Sequence, residues 1–291
     1  MDCYITWASE KMELSEEKLD DQRLCQQLKE IWKESFKDSE EYIEFFLKNR
    51  FVPQQTVIAI SNNKVVGATY LLPAEIDMGY GSIPVLFGYA LGSLKEYRGQ
   101  GISKHILDFI FQYCDANHYV FTFYPANEKL VAYYESIGLT KVGNIKKFHF
   151  INNHKVMVEK VFLADIASEE YAKLRNNFFA GVGYLKWDDA AINYAILENC
   201  FCGGFCKKLI YKSNEYILIG RIEDNKLIIT EANIPDHLLT DLMQALAIHF
   251  EVDEVIAFLP AGSDVESMVI PWVMGYKAQI LQNGYCNLLL N

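Results

Sequence analysis

No stretch of this chain reaches the roughly 18 consecutive apolar residues of a membrane-crossing helix. The best run, Ile83–Leu91, is short and is broken by Pro84 and Gly88. The start, Met1–Lys18, lacks a basic head followed by an apolar run of roughly 7–15 residues, so no secretion signal is read there. The cytoplasm is therefore the expected compartment, and a membrane is not an expected partner. Positive charge is also scarce. The 27 Lys and Arg stand against 38 Asp and Glu, a net charge of -11. Such a surface repels phosphate backbones, which argues against nucleic acid as a partner. An anionic ligand would need a site with its own local donors. The six histidines form no two-histidine metal motif, and Cys200, Cys202 and Cys206 have no second Cys or His pair beside them. No metal is expected, and the three thiols read as small apolar residues around Gly203 and Gly204. Seven cysteines, an odd number scattered along the chain, suit reduced thiols better than a disulfide framework.

What is present is the composition of a folded protein, 51% hydrophobic and 22% charged. At 291 residues the chain exceeds what one core usually supports, so two domains are expected. Leu24, Leu28, Ile31, Trp32 and Phe36 make one apolar stripe and predict a helix over 21–36. Ser39 reads as the N-cap of a second helix whose inner face carries Tyr42, Phe45 and Phe46. Residues 56–61 and 64–72 read as a hairpin turned at Asn62-Asn63, where positive φ is tolerated. A strand over 83–94 then runs into Arg98-Gly99-Gln100-Gly101, followed by a helix from Ile102 with Ile106, Leu107, Ile110, Phe111 and Cys114 inward. A short strand at 119–124 precedes a helix from Glu128 to Ile137, capped by Asn127 and ended by Gly138. Strands over 142–151 and 155–162, read as a hairpin, close the first domain in this reading.

The rest of the chain echoes the first part. Residues 119–127 resemble 254–262; each follows an amphipathic helix, and each leads to a stretch read as a further helix that ends in an apolar-Gly pair, Ile137-Gly138 and Met274-Gly275. The expected architecture is α/β, with two related domains over 1–163 and 164–291, each a mixed sheet flanked by helices.

The chemistry concentrates in the loop from Arg98 to Ser103. Its glycines let the backbone approach a ligand, and free N–H groups at the helix start form an anion cradle. No Gly-Lys-Ser/Thr ends it, which excludes a Walker loop, and G-x-G-x-x-G is absent, which excludes the dinucleotide fingerprint. Leu130, Tyr134 and Ile137 share one face of the next helix. Spacing alone does not choose between Tyr133 and Tyr134 as a functional group, and Asn127 serves equally as a helix cap.

On these residues the chain resembles the GCN5-related N-acetyltransferases (GNAT). Their acetyl-CoA loop reads Gln/Arg-x-x-Gly-x-Gly/Ala between the fourth strand and third helix, places taken here by Arg98, Gly101 and Ser103. Ser103 departs from Gly or Ala but is small. An Asn opening the next helix and a Tyr seven residues on are Asn127 and Tyr134, followed by Gly138-Leu139. The likeness covers about residues 1–162. The whole chain is similar to bacterial tandem acetyltransferases with a degenerate second domain. It is more distantly similar to the enhanced-intracellular-survival type, which adds a sterol-carrier-like domain for which this chain is short, so aminoglycoside or lysine acetylation is not carried over.

The resemblance implies direct acetyl transfer from acetyl-CoA, as co-substrate, to a primary amine of a small molecule or peptide. The main chain of Leu91, Gly92 and Ser93 would hold the pantetheine and polarise the thioester. Gly99, Gln100, Gly101, Ile102 and Ser103 would cradle the pyrophosphate, with Arg98 adding charge and Asn127 contacting the cofactor. Tyr134 would protonate the departing thiolate. Glu75 or Asp77 could act as base through water, or solvent alone could serve. Phe46, Phe87 and Tyr89 could line an acceptor pocket or belong to the core. A non-catalytic acyl-CoA sensor or a scaffold protein is the alternative. The second domain is expected not to bind CoA, because 232–237 reads Ala-Asn-Ile-Pro-Asp-His, with no glycine.

Overall fold

Local sequence places most elements where the chain's periodicity demands. The computed structural model describes residues 3–14, 21–153, 156–180, 183–260, 268–279 and 285–286. In chain order the elements begin with β1 (Cys3–Trp7), α1 (Ala8–Leu14), α2 (Asp21–Phe36), α3 (Glu40–Asn49), β2 (Thr56–Ser61), β3 (Lys64–Asp77) and β4 (Ser82–Ser93). Next come α4 (Ile102–Asn117), β5 (Val120–Phe123), α5 (Glu128–Ser136), β6 (Thr140–Ile151), β7 (Phe162–Ala164) and α6 (Ser168–Phe179). The chain continues with β8 (Tyr184–Trp187), α7 (Asp189–Phe201), β9 (Phe205–Tyr211), β10 (Asn214–Glu223), β11 (Lys226–Ala232), α8 (Asp236–His249), β12 (Glu254–Pro260) and β13 (Met268–Tyr276). Among the described residues no helix is long and apolar enough to cross a membrane.

The described residues fall into two units. One comprises those in Met1–Ala74, Ile83–Thr140 and Met274–Ala278; the other comprises those in Glu75–Ser82, Lys141–Val273 and Gln279–Asn291. In the first, β1 to β5 lie side by side in order, and β5 is then paired by the Met274–Tyr276 end of β13. β4 and β5 run parallel, whereas β1–β2, β2–β3 and β5–β13 are antiparallel. β4 and β5 are joined through α4, as a parallel pair requires a crossover. Ile102 and Ile106 of α4 stand over Gly67. Trp32 and Phe46, from α2 and α3, pack on Tyr70, which points to the opposite face by strand alternation. The six inward residues expected on α4 are the six it buries. Ser39 Oγ accepts from the Tyr42 amide at 3.2 Å, and Asn62 and Asn63 take the positive φ of the hairpin turn.

The second unit orders β6, β12, β11, β10, β9 and β7, again with one parallel pair, β11 with β12, joined through α8. Both units are thus mixed sheets flanked by helices, and the echo between 119–127 and 254–262 falls on the corresponding strands β5 and β12. Two sequence expectations are corrected. Residues 142–151 do not form a hairpin with 155–162. Instead β6 pairs with β12 over Ile145–Ile151, residues 156–161 carry no strand, and Lys155 lies outside the described residues. The stretch before Met274-Gly275 is not a helix but the strand β13, so the echo stops at β12. β1, α1 and β8 were not legible from the sequence.

Candidate active site

Parallel pairing of β4 with β5 runs from Val85↔Val120 to Gly88↔Phe123 and ends there, although β4 continues to Ser93. Two residues past the last pair, Ala90 adopts φ 52, left-handed backbone that a non-glycine residue rarely takes. The gap left between the strands is the floor of a cleft of about 770 Å³. α2 closes one side, where a Cβ on Gly92 would stand 2.5 Å from Ser35 Oγ, so glycine is required. A one-turn 3₁₀ helix, Lys95–Tyr97, then leads into the glycine loop.

Gly99 (φ 77) and Gly101 (φ 82) hold left-handed backbone that an L side chain adopts at a cost. Gly101 is the N-cap of α4 and supplies no capping side chain, and no acidic residue sits in the first turn. The first amides of α4 thus lack a carboxylate partner, which is the condition for anion capture. Leu91, Gly92, Ser93, Arg98, Gly99, Gly101, Ile102, Ser103, Asn127 and Tyr134 all line this cleft. Gln100 does not; it is exposed and its amide donates to the Glu96 carbonyl at 2.9 Å. Arg98 is placed differently from the charge donor expected. Its Nη2 donates to the Glu34 carbonyl at 2.6 Å, and Nε and Nη2 reach the Ser93 carbonyl at 3.4 Å, so the guanidinium ties the loop to β4 and α2.

Asn127 caps α5, accepting from the Leu130 amide at 3.3 Å, while remaining on the cleft wall. Tyr134 is 8% exposed, its ring edge-on to Phe123 at 4.6 Å, and its hydroxyl has no hydrogen-bond partner among the described residues. Burial, and then the neighbouring Tyr133, pushes its pKa up to about 12. Tyr133 also lines the cleft but is more exposed; burial raises it, while Lys104 lowers and Asp108 raises it further.

The remaining expectations sort clearly. Phe46 and Phe87 are fully buried, and Tyr89 joins the Trp32 and Phe46 rings and bonds the Tyr42 hydroxyl at 2.8 Å; none of the three lines the cleft. Glu75 and Asp77 are not lining residues either, and Asp77 accepts from the Gly79 amide at 2.8 Å. Among the described residues no carboxylate lines the cleft, and its charged members are Arg98 and Lys104. Cys206 is buried and its thiol is pushed up to about 12 by burial, whereas Cys200 and Cys202 are exposed. Sequence reasoning missed Ser35, Thr69, Ala90, Lys104 and Tyr124 as lining residues. Lys104, directly after Ser103, was within reach; the left-handed backbone at Ala90 leaves no mark in the sequence.

Known proteins share this fold. Residues 20–142 match the acetyltransferase (GNAT) domain family. No curated protein matches the sequence. A conserved protein of unknown function from Enterococcus faecalis V583, described as a probable N-acyltransferase, superposes with a TM-score of 0.71 at 13% identity, over 96% of this chain and 74% of its own. A GCN5-related N-acetyltransferase from Anabaena variabilis ATCC 29413 gives 0.70 at 18% identity, over 94% and 72%. Eis1 from Mycobacterium abscessus gives 0.65 at 8% identity, over 95% and 73%. Residues 20–142 thus match the GNAT acetyltransferase domain, and the chain as a whole shares the fold of these solved structures.

Proposed function

We propose that the chain transfers an acetyl group from acetyl-CoA directly to a primary amine of a small-molecule or peptide acceptor, in the cytoplasm, within the cleft where β4 and β5 part. The observation that carries this reading is electrostatic. In a chain of net charge -11, this cleft is lined by two cations and no carboxylate, and it opens onto the uncapped first turn of α4. Those amides, from Gly99 to Ser103, cradle the donor's pyrophosphate, and Arg98 keeps the loop in shape. The main chain of Leu91, Gly92 and Ser93, just past Ala90, holds the pantetheine arm and polarises the thioester carbonyl. The site lies wholly in the first domain; the second is a degenerate relative.

The amine nitrogen attacks the thioester carbon, the C–S bond breaks, and the amine's proton leaves to water because no carboxylate lines the cleft. Tyr134 gives its proton to the departing sulfur and regains one from solvent. In water this donation runs uphill, since tyrosine titrates near 10 and a thiol near 8.5. Desolvation narrows the gap by raising both kinds of group: Cys114, a buried thiol of this chain, is pushed up to about 12 by burial and then by Asp115, as Tyr134 is by burial and Tyr133. The test is thermal unfolding with acetyl-CoA, then thiol release against a panel of amines. A ligand that binds only the folded state stabilises it by about 2.7 kcal/mol at a hundredfold excess over Kd. No shift sinks the donor assignment. A shift without turnover on any amine favours a non-catalytic acyl-CoA sensor.

A further inference from the structure

We propose that Lys104 is the side-chain cation that grips a phosphate of the acyl donor, and that Asp108 holds it in reserve until the donor arrives. The inference rests on the acyl-CoA reading above. Of the two cations lining the cleft, Arg98 has its guanidinium turned to the Glu34 and Ser93 carbonyls. Lys104 remains. It stands in the first turn of α4, beside the amides that no side chain caps. Its Nζ meets Asp108 Oδ2 at 2.6 Å, an i,i+4 pair with the two side chains 50% and 39% exposed. Across the cleft mouth on α5, Tyr133 feels both charges. Lys104 and Tyr133 both line the cleft, and Asp108 stands outside its lining.

An exposed pair of this kind is weak in water and screened by salt. A phosphate at a helix N-terminus offers Lys104 more charge, and neighbouring N–H donors hold that phosphate in place. On binding, Lys104 exchanges Asp108 for phosphate, and Asp108 becomes a nearby like charge that weakens the donor. Lys104 thus raises affinity and Asp108 lowers it, from one helix face.

Calorimetric titration with acetyl-CoA, at low and high salt, tests this. We expect Lys104→Gln to weaken binding about tenfold, Lys104→Arg to retain it, and Asp108→Asn to tighten it about threefold, with all differences shrinking as salt rises. Far-ultraviolet dichroism of the unliganded variants checks that α4 is intact. A titration with 3′-dephospho-acetyl-CoA identifies the phosphate: an effect of Lys104→Gln that vanishes assigns the 3′-phosphate, and one that persists assigns the pyrophosphate. Wild-type affinity in folded Lys104→Gln, or weaker binding in folded Asp108→Asn, overturns the proposal. No binding by the wild type instead removes the donor reading, and this inference with it.

Discussion

At the scale of single residues, the cleft separates two adjacent tyrosines that sequence spacing left equal. Tyr133 sits at the mouth in the field of Lys104 and Asp108, while Tyr134 lies against Phe123 on β5 with an unbonded hydroxyl. Tyr134→Phe removes only that hydroxyl. Its folding cost is therefore small, and acetyl-CoA affinity should hold. Turnover should fall by roughly 10²–10⁴-fold if the hydroxyl is the general acid. The pH dependence follows from burial. Raised to about 12, the group stays protonated throughout the working range, so the wild-type to Tyr134→Phe ratio of kcat should be flat from neutral pH up to 10. The folded pKa lies above the unfolded one. The associated stability is therefore whole below about 10 and lost as pH climbs through about 12. A ratio that collapses at neutral pH, or equal turnover in the variant, would reduce Tyr134 to a packing residue. Arg98 teaches the opposite lesson. The sequence announces a cation at the loop, but not that two main-chain carbonyls have already claimed it.

The elements that build the site divide by whether their signal is local. The stripe of α4, the caps Ser39 and Asn127, and the left-handed Gly138 were all legible, because each is set by residues within a turn or two. The strands were harder. A short apolar stretch such as 268–276 carries no period that separates strand from buried helix, and its pairing with β5 depends on residues some 150 positions away. The loop–helix junction offers an element-scale test. Gly101 has room for a Cβ, which would meet His105 Cε1 at 3.7 Å, so only its φ of 82° opposes substitution. Gly101→Ala should cost about 1–2 kcal/mol of stability through that strain, seen in urea unfolding, yet keep most acetyl-CoA affinity. Gly101→Asp adds the same strain and puts a negative charge in the cradle. It should abolish detectable binding, and equal affinity in the two variants would mean that no anion sits there.

Across the whole molecule, two sheets of one design differ in what stands at the end of their parallel pair. In the first unit the space past Gly88 and Phe123 is open and lined by glycine, main chain and cations. In the second, pairing ends at Ile229↔Ala257, and two residues on stands Glu231, completely buried. Its carboxylate accepts from Arg175 Nε at 2.8 Å and from the hydroxyls of Tyr171 at 2.5 Å and Tyr285 at 3.4 Å. Breaking such a buried pair costs roughly 3–5 kcal/mol, so this filling does not open for a ligand. The following turn is closed too. Asn233 is buried, its side chain accepting from the Ile217 amide at 2.6 Å, and Pro235, the N-cap of α8, has no N–H to offer. The missing glycine was legible as a warning of this, but Arg175 and the tyrosines were not, since they lie some 50 to 60 residues away along the chain on either side of Glu231. A buried carboxylate at the strand gap, followed by a turn with no glycine and a proline cap, offers a second donor phosphate no cradle. Calorimetry should therefore count one acetyl-CoA per chain, in a single event that Gly101→Asp removes. A stoichiometry near two, with the second event surviving Gly101→Asp, would place a working cradle in the second unit and overturn its assignment as a degenerate partner.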